Sequence, residues 1–131
     1  MDARQYIEDI KTELIASPII NEFSIIEARD LGDRGYFRAR ATLANGDFLE
    51  IAEYFFIVDG QPQPERYRYQ WMDSTQAILR RRWDNVPHFP NLSNFPHHVH
   101  IDSEDDVYAS VSRNTTEFLA YLASEISLPE P

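Results

Sequence analysis

Between residues 36 and 83 the side chains repeat every second position, and short polar turns interrupt the repeat. A period of two puts alternate side chains on opposite faces of an extended chain, so this stretch calls for strands rather than helices. Residues 36–43 alternate Phe37, Ala39 and Ala41 with Arg38 and Arg40. Asn45-Gly46 follows, a strong hairpin signal that predicts a tight type I′ turn with both residues at positive φ. Residues 48–58 form a long strand with Phe48, Glu50 and Ala52 opposite Leu49, Ile51 and Glu53. Asp59-Gly60-Gln61-Pro62 reads as the next turn, and residues 66–72 set Tyr67, Tyr69 and Trp71 against arginine and glutamine. These aromatics suit a core face better than a base-stacking platform. A turn at Asp73-Ser74 leads into residues 77–83. Upstream, residues 21–31 carry Phe23, Ile25 and Ile26 and close on a Gly-Asp-Arg-Gly turn at 32–35. Five strands joined by short turns predict an antiparallel meander.

Both ends change period. Tyr6, Ile7, Ile10, Leu14 and Ile15 recur at helical spacing behind Asp2, an N-cap candidate, until Pro18 stops the helix. Asn114 or Thr115 caps a last helix with Phe118, Leu119, Leu122 and Ile126 on one face, and residues 128–131 read as a frayed tail. The expected fold class is α+β: a five-stranded antiparallel meander covered by N-terminal and C-terminal helices, as a single domain over residues 1–131. The chain has no cysteine, which excludes disulfides, thiolate zinc sites and a cysteine nucleophile. Its apolar runs are too short to span a membrane, and the N-terminus lacks the apolar stretch of a secretory signal. A cytoplasmic protein is expected.

The net charge of −10 argues against a general polyanion binder, but the charge is unevenly placed. Residues 1–65 hold six basic and thirteen acidic groups, a net of −7. Residues 66–100 hold Arg66, Arg68, Arg80, Arg81 and Arg82 against Asp73 and Asp84, a net of +3. Residues 101–131 return to −6, with Arg113 against seven acids. The central basic island also contains all four histidines, His88, His97, His98 and His100. They lie in a segment, residues 85–100, that Pro87, Pro90 and Pro96 keep out of regular central strand or helix. A loop of that length is usually functional. His98 to Ile101 is short and apolar enough to close it as a terminal strand, with residues 102–106 as acidic surface.

Three readings of the histidines compete. In the first, two imidazoles and an arginine perform acid–base chemistry on a phosphodiester without a metal, since histidine titrates near neutrality. In the second, His98 and His100 point the same way on a strand and bind a metal with His88 or Asp84. In the third, the histidines only satisfy the backbone of an irregular loop. Catalysis requires at least two of them to converge near an arginine in an open cleft; the structural reading requires them buried and paired with backbone groups. Arg80 and Arg82 share a strand face, and a hairpin at residues 73–75 brings them beside Arg66 and Arg68. Clustered arginines are tolerated where carboxylates intervene or an anion binds.

Arg82-Trp83-Asp84-Asn85-Val86-Pro87-His88, followed by Phe95-Pro96-His97-His98-Val99-His100, resembles the signature of the TumE family. These are small bacterial and archaeal proteins described as toxin components of toxin–antitoxin pairs. The aromatic strand Tyr67-Arg68-Tyr69-Gln70-Trp71 shares the resemblance, which is sharp over residues 66–101. Two positions depart from the family pattern: Phe89 stands where a second histidine is common, and Val99 where lysine is. A substrate-binding role at either position would make this chain's activity differ from its family's.

The resemblance implies a growth-inhibiting effector, for which a metal-independent endoribonuclease without cofactor is the leading expectation. Arg80, Arg82 and Arg68 would hold phosphate. His88 and His98 would exchange protons, with His100 as a third candidate, and Asp84 would orient a histidine. RNA and a cognate antitoxin are the implied partners, and homodimerisation is open. The rival expectation is a non-catalytic binding module with a structural histidine loop.

Overall fold

The computed structural model describes residues 1–126, so the tail at 128–131 lies outside the described residues. The elements run α1 (Ala3–Ala16), β1 (Ile20–Asp30), β2 (Arg34–Leu43), β3 (Phe48–Val58), β4 (Gln61–Met72), β5 (Leu79–Asp84), β6 (His98–Ile101), β7 (Val107–Ala109) and α2 (Thr115–Glu125). The seven strands form one antiparallel sheet in strict chain order. Two helices flank it, as an α+β fold requires.

The expectation of five strands was two short. His98–Ile101 forms a strand, but an interior one: it pairs with β5 and with a seventh strand. That strand, Val107–Ala109, is too short to show an alternation, and the acidic residues 102–106 are the turn before it. β4 also starts at Gln61 rather than at residue 66. Its Pro62 and Pro64 pair with β3 on one side, while β5 joins only from Arg68 onward. Proline is tolerated where a strand has a free edge.

The Asn45-Gly46 turn is tight but not type I′. Among its residues only Gly46 has positive φ, 91°. Gly46 N donates to Leu43 O (2.9 Å) and Leu43 N to Asp47 O (2.8 Å), the pattern of a longer hairpin loop with glycine in the bulge. Asn45 Oδ1 accepts from Asp47 N (2.9 Å), a local bond that holds the turn without a second left-handed residue.

One sheet face buries Phe37, Ala39 and Ala41 from β2, Leu49, Ile51 and Phe55 from β3, Tyr67 and Tyr69 from β4, and Trp83 and Val99 further on. The helices cover this face. α1 is capped by Asp2, which accepts from Gln5 N (2.9 Å), and presents Tyr6, Ile7, Ile10 and Leu14. α2 starts in a full capping box of Asn114 and Glu117 and sets Phe118 between Tyr69 (centroids 4.2 Å) and Trp83 (5.0 Å). Burying a side chain of that size contributes roughly 1.5–3 kcal/mol.

A carboxylate sits inside this core. Glu53 on β3 has no exposed surface and accepts from Tyr6 Oη (2.5 Å), Thr115 Oγ1 (2.6 Å) and Thr115 N (3.2 Å). Its other oxygen has no hydrogen-bond partner. Burial pushes its pKa up to about 7, against the lowering pull of the Thr115 and Tyr6 hydrogen bonds. One side chain thus ties together both helices and the middle of the sheet.

Candidate functional site

The opposite sheet face is bare of helices, and residues 85–97 fold over part of it. The register explains what meets there. Asp84 on β5 stands between Arg68 on β4 and His98 on β6, while Arg82 stands between Gln70 and His100. Because Trp83 and Val99 point into the core, their neighbours Arg82, Asp84, His98 and His100 point out. Together with Arg68, Val86, His88, Phe89 and Glu104 they line a pocket of about 450 Å³.

Its floor is buried: Asp84, His98 and His100 are each under 5% exposed. His98 Nε2 lies 2.9 Å from Asp84 Oδ1, and His100 Nε2 lies 3.6 Å from Asp84 Oδ2. On its other side each ring meets a backbone carbonyl, His98 Nδ1 at Pro96 O (2.9 Å) and His100 Nδ1 at Glu104 O (2.9 Å). A carbonyl only accepts, so both rings carry their proton on Nδ1 and turn Nε2 toward the carboxylate. Asp84 also accepts from Val86 N (3.0 Å), a side-chain turn at the strand exit, and from Arg82 Nε (3.1 Å).

Arg82 is hydrogen-bonded at all three guanidinium nitrogens. Its two terminal nitrogens form a forked pair with Glu104, the first bond 2.6 Å. The Glu104 bond holds the guanidinium still more firmly protonated, and the same bond holds Glu104 below its ordinary carboxylate range. Arg68 is exposed and bonded to Gln70, so its guanidinium faces the pocket with donors to spare. His88 is exposed on the rim. Phe89 roofs the buried pair, its ring centroid 4.9 Å from that of His98 and 5.9 Å from that of His100.

Of the residues expected at the site, His88, His98, His100, Asp84, Arg82 and Arg68 therefore share one pocket. Arg80 does not line it. The β4–β5 register shifts beside it, and its guanidinium pairs with Asp47 (3.4 Å). His97 turns the other way, stacks on Tyr67 and shares a hydrogen bond with its hydroxyl (2.9 Å). Burial, then the neighbouring His98, lowers its pKa. The histidines satisfy parts of two readings at once: two converge beside an arginine, yet both are buried with one nitrogen on backbone.

Sequence reasoning missed Glu104 and Phe89. Glu104 sits in a run read as acidic surface, and only the β6–β7 turn brings it back over Arg82. Phe89, one of the two departures from the family pattern, covers the floor. The second departure, Val99, lies on the core side and does not touch the pocket.

A second groove continues from this pocket across the same face, lined by Tyr36, Tyr54, Arg66, Arg68 and Pro87 among others. The Arg66 guanidinium lies over the Tyr54 ring, 5.7 Å from its centroid.

Comparison with curated proteins and with solved structures gives no significant match. The family model described as "Toxin TumE" matches residues 10–126, a span that contains the whole pocket and both faces of the sheet. The chain belongs to the TumE toxin family.

Proposed function

We propose that this chain is the RNA-cleaving toxin of a toxin–antitoxin pair, with the pocket between Arg68 and His88 as the place where a phosphodiester is held and broken. The observation that carries the reading is the pairing of an exposed imidazole and an exposed guanidinium above a buried Asp84–His98–His100 floor. Arg68 has free donors for phosphate oxygens. His88 is the group that solvent and substrate reach, so it takes the proton of the attacking ribose 2′-hydroxyl and, once charged, returns it to the 5′-oxygen that leaves. Arg82 acts through Asp84, which it orients, rather than on substrate. His98 and His100 keep their positions in the site as its floor, beneath the two exposed groups. The groove of Tyr36, Tyr54 and Arg66 offers aromatic faces and a cation to the bases and backbone of a single strand leading to the pocket.

The rival reading, a binding module with a structural loop, draws on the two backbone-paired Nδ1 atoms. Tightly controlled expression of wild type, His88→Ala and Arg68→Ala decides between them, with purified protein assayed on RNA. Growth inhibition and cleavage fall together in both variants if the pocket is catalytic, and products end in a 2′,3′-cyclic phosphate. Equal toxicity in all three removes catalysis and leaves the binding module.

A further inference from the structure

We infer that Asp84, His98 and His100 form a binding site for one divalent first-row transition ion of the zinc class. The three groups place one donor atom each within 4.8 Å of the others, on two adjacent strands. Metal–ligand bonds of about 2.0–2.2 Å put neighbouring donors about 2.9–3.6 Å apart in octahedral to tetrahedral geometry. His98 Nε2 stands 2.9 Å from Asp84 Oδ1 and His100 Nε2 stands 3.6 Å from Asp84 Oδ2, so each ring nitrogen is at such a separation from one of the two carboxylate oxygens.

The hydrogen bonds fix which atoms face the cluster. Each ring gives Nδ1 to a backbone carbonyl, so Nε2 is the atom that both turn toward the Asp84 carboxyl. At 3.6 Å His100 Nε2 makes no hydrogen bond to Asp84, and the two rings stand with centroids 4.9 Å apart. A single divalent ion would take both Nε2 atoms and a carboxylate oxygen as ligands.

The surroundings are those that metal ligands require. A ligating histidine typically donates its remote N–H to a carbonyl, and a ligating carboxylate is itself hydrogen-bonded. Pro96 and Glu104 carbonyls do the first; Val86 N and Arg82 Nε do the second. The Glu104 carboxylate neutralises Arg82, so the guanidinium supports Asp84 without repelling an ion beside it. Three ligands leave coordination positions open toward the pocket, where Arg68 and His88 face. This departs from the metal-free chemistry expected from the sequence. As a binding site it stands without the nuclease reading; only the use of the ion on a phosphate rests on that reading.

The test uses full-length protein stripped by chelator and titrated with Co²⁺ alone as a visible-absorbance probe, then with Zn²⁺ as competitor. The expected result is one equivalent of Co²⁺ bound, displaced by Zn²⁺, with a rise in thermal midpoint. His98→Ala and His100→Ala lose the Co²⁺ spectrum, whereas His97→Ala, outside the pocket, keeps it. Absence of saturable Co²⁺ and Zn²⁺ binding by folded wild type overturns the proposal, whatever the variants do, and so does a spectrum that survives in His98→Ala. Growth assays separate the two readings. Full toxicity in a His100→Ala protein that binds no metal leaves the nuclease standing without its ion. Stoichiometric metal in a His88→Ala protein of undiminished toxicity leaves the ion without the nuclease.

Discussion

Replacing Glu53 with glutamine removes a titrating group from the core while keeping its shape. In the folded chain this carboxyl loses its proton at about 7, against an ordinary 4.5, because burial disfavours the charge. Between those values the folded state holds a proton that the unfolded chain has released, so stability falls as pH rises. The slope is about 1.4 kcal/mol per pH unit, and over the whole interval the loss is about 3 kcal/mol. The contribution is fully present below pH 4.5 and gone above pH 7. Glutamine keeps an acceptor for Tyr6 and Thr115 and has no such slope. Urea unfolding of wild type and Glu53→Gln at pH 4.5, 6 and 8 isolates the effect, since every other titration is common to both proteins. Wild type is expected to lose about 3 kcal/mol relative to the variant across that range. Parallel stabilities at all three pH values would refute the buried, protonated carboxyl.

Gly46→Val forces a β-branched residue into a left-handed conformation and should cost about 1–2 kcal/mol in chemical denaturation. Gly35→Ala places a Cβ 2.5 Å from Arg29 O and 2.7 Å from the Phe55 ring, and should cost on the order of 1–3 kcal/mol, read as a lower thermal midpoint. Asn114→Ala breaks the capping box of α2 and should cost about 1 kcal/mol by the same measurement. If RNA runs along the groove, Arg66→Ala should lower the salt dependence of binding by about 0.7 in log–log slope, as loss of one single-strand phosphate contact predicts.

The parts of the fold written as long alternations were legible. Phe37-Arg38-Ala39-Arg40-Ala41 and the run from Phe48 to Val58 form strands where the period places them, and β3 matches to the residue. What escaped was short or displaced. Three residues, Val107–Ala109, cannot display a period, and Pro62 and Pro64 hid the start of β4. Arg80 illustrates the limit of parity: a register shift in the β4–β5 ladder put it outside the pocket that Arg82 joins. Glu53 sat in a strand whose alternation already placed it inward with Leu49 and Ile51, and pattern alone does not say what a buried carboxylate will meet. Tyr6 and Thr115, its partners, come from opposite ends of the chain.

The pocket's residues run from Arg68 to Glu104, and the sheet face that carries them is the one turned away from Phe118. On a ribosome, every group of the pocket emerges before the helix that seats Tyr69 and Trp83. Until Phe118 arrives, those two rings face water, and Glu53 lacks the Thr115 donors that hold it. The order of synthesis therefore delays the pocket: its residues are present before the core behind their strands is closed. A nascent chain stalled short of residue 115 carries the pocket's side chains but lacks the helix that backs the strands bearing them.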